Sequence, residues 1–423
     1  MKNLILSGMG SSSSLQTKTR IFVHCFLFCP NPIFHSHMFL FKAALVFSFS
    51  LLVSVTFAQP STKSISAKEA VAEAEKVLSV YKEKQLPTSK AEWEKGKIQI
   101  GSDSLLFTVK VFGEKPSDGR SMFISMHGGG NGPASMNDQQ YKNQQKLYKP
   151  AEGVYFVPRS PSNTWNMWHQ EPVDGLLEQA ILDAVIMEGV NPNKVYIMGY
   201  SAGGDGVYQL APRVADHWAA AAMMAGHPGD AAILNLRNLP FFLAVGEKDA
   251  AYNRNALLTE WSNRLDSLQA TDKGAFIHDA HLMAGMPHWM KQQDTISVAW
   301  MAKFRRNPYP QKVNWVQDDA VRKHFYWLSV PQSSAVKGHT VFASYQDQEI
   351  DIQRNDNDTL YIHLNDKMMN FDKPITIRQN GKVLFKGKVA RSKKLIQQTY
   401  ADRRDADYIF SSEVVLVNGQ VRM

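Results

Sequence analysis

The segment KVYIMGYSAGGDG, residues 194–206, places one serine among glycines, between an apolar run and a helix-like run. Its pentapeptide GYSAG has the spacing G-x-S-x-G. Between a strand and a helix, this spacing forms a sharp turn that raises the serine hydroxyl above the edge of a sheet. A helix that begins at Ala202 would direct free N–H groups at the same point, where they favour negative charge. The pattern therefore predicts that Ser201 is a nucleophile.

A serine nucleophile needs a base to take its proton, and the base needs an acid to orient it. Downstream, Asp249 follows the buried run PFFLAV, and His288 lies in a loop after the next predicted strand. We assign Ser201 as nucleophile, His288 as general base and then acid, and Asp249 as the orienting acid. Other residues remain as alternatives: Glu247 and Asp230 for the acid, and His227, His278 and His281 for the base.

The segment ISMHGGGN, residues 124–131, puts three glycines directly after a predicted strand. Acyl transfer passes through a tetrahedral oxyanion, which preorganised backbone N–H groups stabilise. Glycine lets the backbone turn such groups inward. We expect the amides of Gly129 and Ala202 to form an oxyanion hole, with Gly128 as the alternative donor.

Aromatic residues follow two of the predicted strands near the proposed site. Their rings offer flat apolar area with a polar handle, which suits an aromatic acyl group or a sugar ring, or they pack the loop. The arginine after the strand VYFVPR either holds a substrate carboxylate or pairs with a neighbouring acid. The candidate substrate-binding residues are Trp165, Trp168, Arg159, Trp289 and Tyr200.

Strand-like and helix-like runs alternate from residue 98 to residue 306. This alternation predicts an α/β fold with a mostly parallel sheet covered by helices on both faces. Residues 59–97 are predicted to hold a helix, with Ser66 and Glu69 at capping-box spacing and an end at Leu86-Pro87, followed by a linker. The last helix of the alternating region is expected over residues 289–304.

Residues 312–423 follow a proline-containing linker and are predicted to form a small β-rich accessory domain that resembles a sandwich. The pair Asn380-Gly381, between two alternating runs, predicts a hairpin whose two turn residues both have positive φ.

Residues 1–58 read as a targeting segment. The segment after Met38 has the order of a secretory signal: a lysine comes first, then an apolar stretch of about 15 residues, then small residues before Gln59. We expect cleavage after Ala58, a true start at Met38, and a secreted or periplasmic protein with no stable membrane span after cleavage. Both cysteines, Cys25 and Cys29, fall in this segment, so the mature chain has no thiolate metal site.

The chain has 423 residues and a formal net charge of +8. Four of the positive charges lie in the targeting segment, and the others are scattered among acids. The sequence therefore predicts no nucleic-acid-binding face. It gives no oligomeric state.

The motifs MHGGGN, GYSAGG, VGEKD and GMPHW together resemble the α/β-hydrolase superfamily over about residues 100–305. Within it, they are most similar to secreted bacterial esterases of the polyhydroxybutyrate depolymerase and feruloyl esterase type. The resemblance implies an eight-stranded sheet, a Ser–Asp–His triad, no metal and no cofactor. Members of that family commonly have disulfides, unlike this mature chain.

The expected function is that of a secreted serine hydrolase that cleaves carboxylic esters through an acyl-enzyme, with small-molecule, polysaccharide-linked or polyester substrates. One alternative is a serine peptidase of the prolyl-oligopeptidase type. The other is a non-catalytic carbohydrate-binding protein on a hydrolase scaffold.

Overall fold

The computed structural model describes residues 64–422. The predicted targeting segment, the start at Met38 and the cleavage after Ala58 lie outside these residues and stay predictions. Among the helices of the described residues, none is long and apolar enough to span a membrane.

The predicted α/β sheet is confirmed, and it has eight strands. Its order is β1-β2-β4-β3-β5-β6-β7-β8. Neighbouring strands pair in parallel from β4 to β8, whereas β2 is antiparallel to both β1 and β4. The strands are β1 (Lys97–Ile100), β2 (Asp103–Phe112), β3 (Arg120–Met126), β4 (Gly153–Arg159), β5 (Val190–Tyr200), β6 (Ala220–Met224), β7 (Phe241–Gly246) and β8 (His278–Met283).

The central strands are buried on both faces, which explains their continuous apolar sequences such as AAAMM and FFLAVG. Adjacent residues point to opposite sides, so Phe123 and Ile124 belong to two different core clusters. Helices cover both faces: α1 (Ala67–Lys95), α2 (Ala134–Gln144), α3 (Glu171–Met187), α4 (Ala202–Arg213), α5 (Arg254–Thr271) and α6 (Ile296–Met301), with α7 (Lys393–Arg403) further along the chain.

The first helix is longer than predicted. Its capping box at Ser66 is confirmed, but the predicted end at Leu86-Pro87 is wrong. Helix α1 continues through the proline to Lys95, and its C-cap residue Gly96 has φ 65°. The Trp93 indole N–H donates to the Glu188 carboxylate at 3.0 Å. The part of α1 beyond Pro87, where the proline removes one helix hydrogen bond, is thus held against the end of α3.

Two further helix expectations need correction. The helix predicted over residues 289–304 shrinks to α6, because Lys291 and Gln292 have φ values of 51° and 64°, which a helix excludes. Helix α2 was not predicted, since its sequence ASMNDQQYKNQ is too polar to show an apolar face.

The β-rich character of the C-terminal part is confirmed. Its two five-stranded sheets have the orders β10-β11-β14-β17-β18 and β16-β15-β13-β12-β9. The strands are β9 (Lys312–Val316), β10 (His324–Phe325), β11 (Leu328–Ser329), β12 (Thr340–Gln346), β13 (Glu349–Asn355), β14 (Thr359–Leu364), β15 (Ile375–Gln379), β16 (Lys382–Gly387), β17 (Ser412–Val417) and β18 (Gln420–Arg422).

The predicted hairpin joins β15 to β16, and both Asn380 and Gly381 have positive φ, 50° and 77°. One hydrophobic core cluster continues from the large sheet into the β-rich part: it contains Ile124 and Leu243 as well as Trp315 and Leu416. The boundary between the predicted domains 98–306 and 312–423 stays a prediction.

Asp183 makes the contact between α1 and α3 sensitive to pH. Its side chain is buried, one oxygen accepts a hydrogen bond from Gln179 at 2.9 Å, and the other has no partner among the described residues. Burial and the nearby Glu92 carboxylate raise the pKa of Asp183 to about 7. The folded chain therefore holds a proton here that the unfolded chain releases, and stability falls as the pH rises from about 4 to 7.

We expect Asp183→Asn to raise stability by about 1–3 kcal/mol at pH 8, because the amide removes the cost of a buried, partly unsatisfied carboxylate. Melting temperatures measured between pH 4 and pH 8 should show a gain at pH 8 that shrinks towards pH 4. The exposed Asp402 on α7 offers a control, and Asp402→Asn should show no such trend. An equal gain at both ends of the pH range would contradict the expectation.

Candidate active site

The turn around Ser201 explains the glycines of the GYSAGG segment. Ser201 joins β5 to α4 with φ 58° and ψ −121°, a conformation that costs a non-glycine residue energy. A Cβ atom at Gly199 would lie 2.2 Å from the Gly203 carbonyl oxygen, and one at Gly203 would lie 2.2 Å from the Met126 carbonyl oxygen. Only glycine fits at both positions, because strand and helix approach each other too closely for any side chain.

The structure brings together the three residues assigned to the triad. His288 Nε2 lies 3.0 Å from Ser201 Oγ, and His288 Nδ1 lies 2.6 Å from Asp249 Oδ2. The Asp249 side chain is buried, whereas 43% of the His288 side chain is exposed. A buried carboxylate fixes the ring, while the exposed face of the ring meets the cleft. This arrangement can move a proton from a serine hydroxyl to an imidazole.

The loop that carries His288 is held by Tyr200. The Tyr200 hydroxyl donates to the His288 carbonyl at 2.7 Å and accepts from the Met290 N–H at 2.9 Å. Burial raises the pKa of Tyr200, so the hydroxyl keeps the proton that it donates. Tyr200 lines the cleft, but both of these bonds fix the histidine loop.

The alternative acids and bases have other contacts. Glu247 accepts from the Gly285 N–H at 2.6 Å, and Asp230 pairs with Lys337 at 2.9 Å. His278 and His281 pair with surface carboxylates, Asp266 at 3.2 Å and Asp279 at 2.9 Å. His227 lines the cleft, and its backbone N–H donates to Asp205 at 2.6 Å. Neither Ser201 nor Asp249 is a hydrogen-bond partner of these side chains in residues 64–422.

The HGGG segment lies directly against the serine. A Cβ atom at Gly128 would be 3.0 Å from the Ser201 Cβ, and Gly129 has φ 113°. The Gly130 N–H donates to the Asn137 side chain at 2.7 Å, which anchors the turn to α2. Helix α4 begins at Ala202, so its first-turn N–H groups have no partner within the helix. The backbone of Gly128, Gly129 and Ala202 thus borders the space above Ser201.

The histidine of this segment is a support. His127 Nε2 accepts from the Ser160 N–H at 3.1 Å, and the His127 carbonyl accepts from the Trp168 indole at 2.9 Å. Burial lowers the pKa of His127 to about 4, so the ring is neutral and can accept that bond. The sequence analysis missed the supporting roles of His127 and Asn137. The HGGG motif is a sequence signal that could have indicated His127. No motif or spacing indicates Asn137, because α2, the helix that carries it, was not predicted.

Two of the candidate substrate-binding residues lie away from the cleft. Trp168 is fully buried behind the HGGG segment, so it packs the loop instead of meeting a substrate. Arg159 is 8% exposed and pairs with Asp138 at 2.8 Å, which is the second of its two predicted roles. Trp165 and Trp289 do line the cleft, with 66% and 45% of their surfaces exposed.

The cleft divides at Ser201 into two pockets. The first, which we call the His288 pocket, has a volume of about 610 Å³ and is lined by Tyr200, His288 and Trp289. The second, the Arg254 pocket, has a volume of about 410 Å³ and is lined by Ala202, Trp165, Asp205, His227, Tyr252 and Arg254. Ser201 and Gly129 border both pockets. The site therefore has room for a group on each side of a bond held at the serine.

Among residues 64–422, no cluster of three or more His, Cys, Asp or Glu side chains has the arrangement of a metal site.

No family model matches the chain, and no curated protein matches its sequence. Solved structures do match. A thermostable esterase is 15% identical over 50% of this chain and 62% of its own, with a TM-score of 0.37. A ferulic acid esterase is 12% identical over 49% of this chain and 95% of its own, with a TM-score of 0.35. A phospholipase/carboxylesterase from Dyadobacter fermentans is 15% identical over 47% of this chain and 99% of its own, with a TM-score of 0.33.

Likenesses this remote define neither an activity nor a substrate for this chain. The fold follows from the molecule itself: a sheet of eight strands in the order 1-2-4-3-5-6-7-8, antiparallel at one edge, and a strained serine between β5 and α4. The chain therefore has the α/β-hydrolase fold.

Proposed function

We propose that the protein is a serine hydrolase that cleaves carboxylic esters through an acyl-enzyme. The observation that carries this proposal is the unbroken hydrogen-bonded series from Ser201 Oγ through the His288 ring to the Asp249 carboxylate. Such a series makes a serine hydroxyl nucleophilic at neutral pH, because the imidazole takes its proton as the bond to carbon forms.

In the first half of the reaction, Ser201 Oγ attacks the ester carbonyl carbon and His288 Nε2 takes the hydroxyl proton. The carbonyl oxygen becomes an oxyanion, which the N–H groups of Gly129 and Ala202 stabilise. The C–O bond to the alcohol then breaks, and His288 returns the proton to the departing oxygen. In the second half, a water molecule gives a proton to His288 Nε2 as its oxygen attacks the acyl carbon. The bond between that carbon and Ser201 Oγ then breaks, His288 returns the proton to Oγ, and the acid leaves.

The two pockets favour a substrate with bulk on both sides of the ester bond. The leaving oxygen must receive its proton from His288 Nε2, so the alcohol belongs in the His288 pocket. The acyl group then occupies the Arg254 pocket on the other side of Ser201. Exposed Trp289 and Trp165 offer one aromatic ring to each group. These rings support polysaccharide-linked or aromatic esters as the substrate class.

We also propose that the protein acts outside the cytoplasm, either secreted or periplasmic. This part rests on the sequence between Met38 and Gln59. The intact mass of the mature protein is its test: retention of residues before Ala58 would overturn it.

The activity is tested with a panel of p-nitrophenyl acetate, p-nitrophenyl butyrate, methyl ferulate, acetylated xylan and aminoacyl p-nitroanilides. Turnover of esters, together with fluorophosphonate labelling located on the Ser201 peptide by mass spectrometry, is the expected result. Turnover of the anilides alone would replace the proposal with a peptidase. Folded protein that hydrolyses nothing and takes no label would point to a binding protein.

A further inference from the structure

Arg254 is a buried cation that lacks the hydrogen bonds such a group needs. Only 8% of the residue is exposed, and its Nε–H has no partner. Within residues 64–422, its nearest carboxylate is Asp249, at 3.8 Å from an Nη atom, and its guanidinium lies 4.8 Å from the centre of the Tyr252 ring. Neither contact is a hydrogen bond. A guanidinium carries five N–H donors, and a buried donor that has no acceptor, as the Nε–H of Arg254 has none here, is costly.

The backbone holds Arg254 at the wall of the pocket beside Ser201. It is the first residue of α5, and the two residues before it, Tyr252 and Asn253, both have positive φ, 54° and 58°. Strain of this kind persists where surrounding structure fixes it, and it clusters at sites that hold ligands. The turn places the Tyr252 ring beneath the guanidinium and leaves it 74% exposed.

The charge of Arg254 is already compensated. Asp249 lies on one side of it, and Asp205 is the second carboxylate of the same region. Burial raises the pKa of Asp205, and the charge of Arg254 acts against that shift. A substrate carboxylate would add a third negative charge to one guanidinium. The donors of Arg254 therefore call for neutral oxygen acceptors, such as an ether, hydroxyl or carbonyl oxygen.

We propose that Arg254 selects acyl groups that carry a neutral oxygen acceptor beyond the ester carbonyl. Arg254 donates hydrogen bonds to that oxygen, while the exposed rings of Trp165 and Tyr252 lie beside the rest of the acyl group. The arginine at the acyl side of the cleft is thus Arg254 and not Arg159, and its proposed acceptor is a neutral oxygen instead of a carboxylate. This inference rests on the proposed function, because it assigns the acyl side of the same site.

The test uses methyl esters, so that the alcohol stays constant. The substrates are methyl hexanoate, its two analogues in which an ether oxygen replaces the methylene at C4 or C5, and monomethyl adipate. We expect the wild type to hydrolyse at least one ether analogue with a kcat/KM about 10-fold above that for methyl hexanoate. In Arg254→Met, the ratio of these two values should fall to about one.

Two variants complete the design. Arg264 is also on α5 and also lies over an aromatic ring, that of Trp261 at 5.7 Å, but its side chain is 50% exposed and away from the cleft. Arg264→Met should keep the wild-type ratio. Arg254→Lys retains the charge and loses the planar fork, so it should keep only part of the preference. If Arg254→Met fails to fold, the Arg254→Lys variant provides the test instead.

Three results would overturn the inference while leaving the hydrolase proposal intact. The first is equal wild-type activity on the ether and alkyl esters. The second is a loss in Arg254→Met that is equal for both esters, which would make Arg254 a positioning residue for Asp249. The third is a preference for monomethyl adipate, which would make the pocket an anion site. Absence of turnover of every ester by the wild type would instead overturn the proposed function, and the inference with it.

Discussion

We expect Ser201→Ala to lower kcat/KM for the preferred ester by about 10⁵- to 10⁶-fold. The substitution removes the only atom that attacks the carbonyl carbon, and it leaves His288 and Asp249 in place. The fold should be unchanged, because Ser201 is bonded to its surroundings through its backbone: its N–H donates to the Met224 carbonyl at 2.9 Å, and its carbonyl accepts from the Asp205 N–H at 2.9 Å.

The measurement is steady-state hydrolysis of the best ester of the panel, with fluorophosphonate labelling of the same preparations. Ser267→Ala serves as control, since that exposed serine bonds only within α5 and should keep full activity. Ser201→Ala that retains activity within about tenfold of the wild type would contradict the nucleophile assignment. Labelling should disappear along with turnover.

The site was predictable from the sequence to the extent that its chemistry lies in short motifs. The backbone is too close to Gly199 and Gly203 for any side chain, and Gly129 and Gly130 have positive φ values of 113° and 82°. Both requirements therefore leave glycines in short local motifs. Asp249 follows the buried strand β7 and His288 follows the edge strand β8, and parallel strands end at one edge of a sheet. Their meeting at Ser201 therefore follows from the predicted topology.

The features that the sequence analysis missed or predicted wrongly depend on long-range contacts. Arg254 looks like any arginine at the start of a surface helix, and only its burial beside Asp249 distinguishes it. Trp168 and Arg159 follow the strand end as expected, but packing turns them inward. Helix α1 continues past Pro87 into a segment in which Trp93 bonds to Glu188, a residue far away in the sequence. None of these contacts leaves a local pattern.

The largest expected effect on stability concerns Asp216, which connects the sheet region to the β-rich part. Its carboxylate is buried, accepts from the Tyr326 N–H at 3.0 Å and bonds to an Arg403 Nη at 2.5 Å. Its carbonyl accepts from the Tyr408 hydroxyl at 2.8 Å. Burial alone would raise the pKa of Asp216, but the Arg403 guanidinium holds it well below its usual range. His217 is its second cationic partner: the ring Nδ1 lies 3.0 Å from Asp216 Oδ1, and despite burial the Asp216 and Glu178 carboxylates raise the pKa of His217 to about 9. The Asp216 charge therefore depends both on His217 and on residues beyond position 312.

We expect Arg403→Met to destabilise the protein by about 3 kcal/mol, at the low end of the cost of breaking a buried ion pair, because it leaves the buried Asp216 carboxylate with His217 as its remaining cationic partner. Melting temperature is the measurement, and activity per folded molecule should stay close to that of the wild type. The double variant Asp216→Asn with Arg403→Met should recover much of the loss, since removing both partners costs less than removing one. Arg354→Met, at an exposed ion pair with Asp356, should not change the melting temperature measurably.

The same contacts decide what removal of residues 307–423 does. That truncation deletes Tyr326, Arg403 and Tyr408 together and exposes the part of the core that Trp315 shares with the large sheet. We expect the shortened chain to be insoluble, since its Asp216 carboxylate has lost the Arg403 guanidinium and a large apolar surface is uncovered. A soluble, ester-cleaving fragment of residues 64–306 would contradict this expectation and would show that the sheet region is an independent domain. Insolubility would instead mean that the β-rich part completes the fold of the hydrolase.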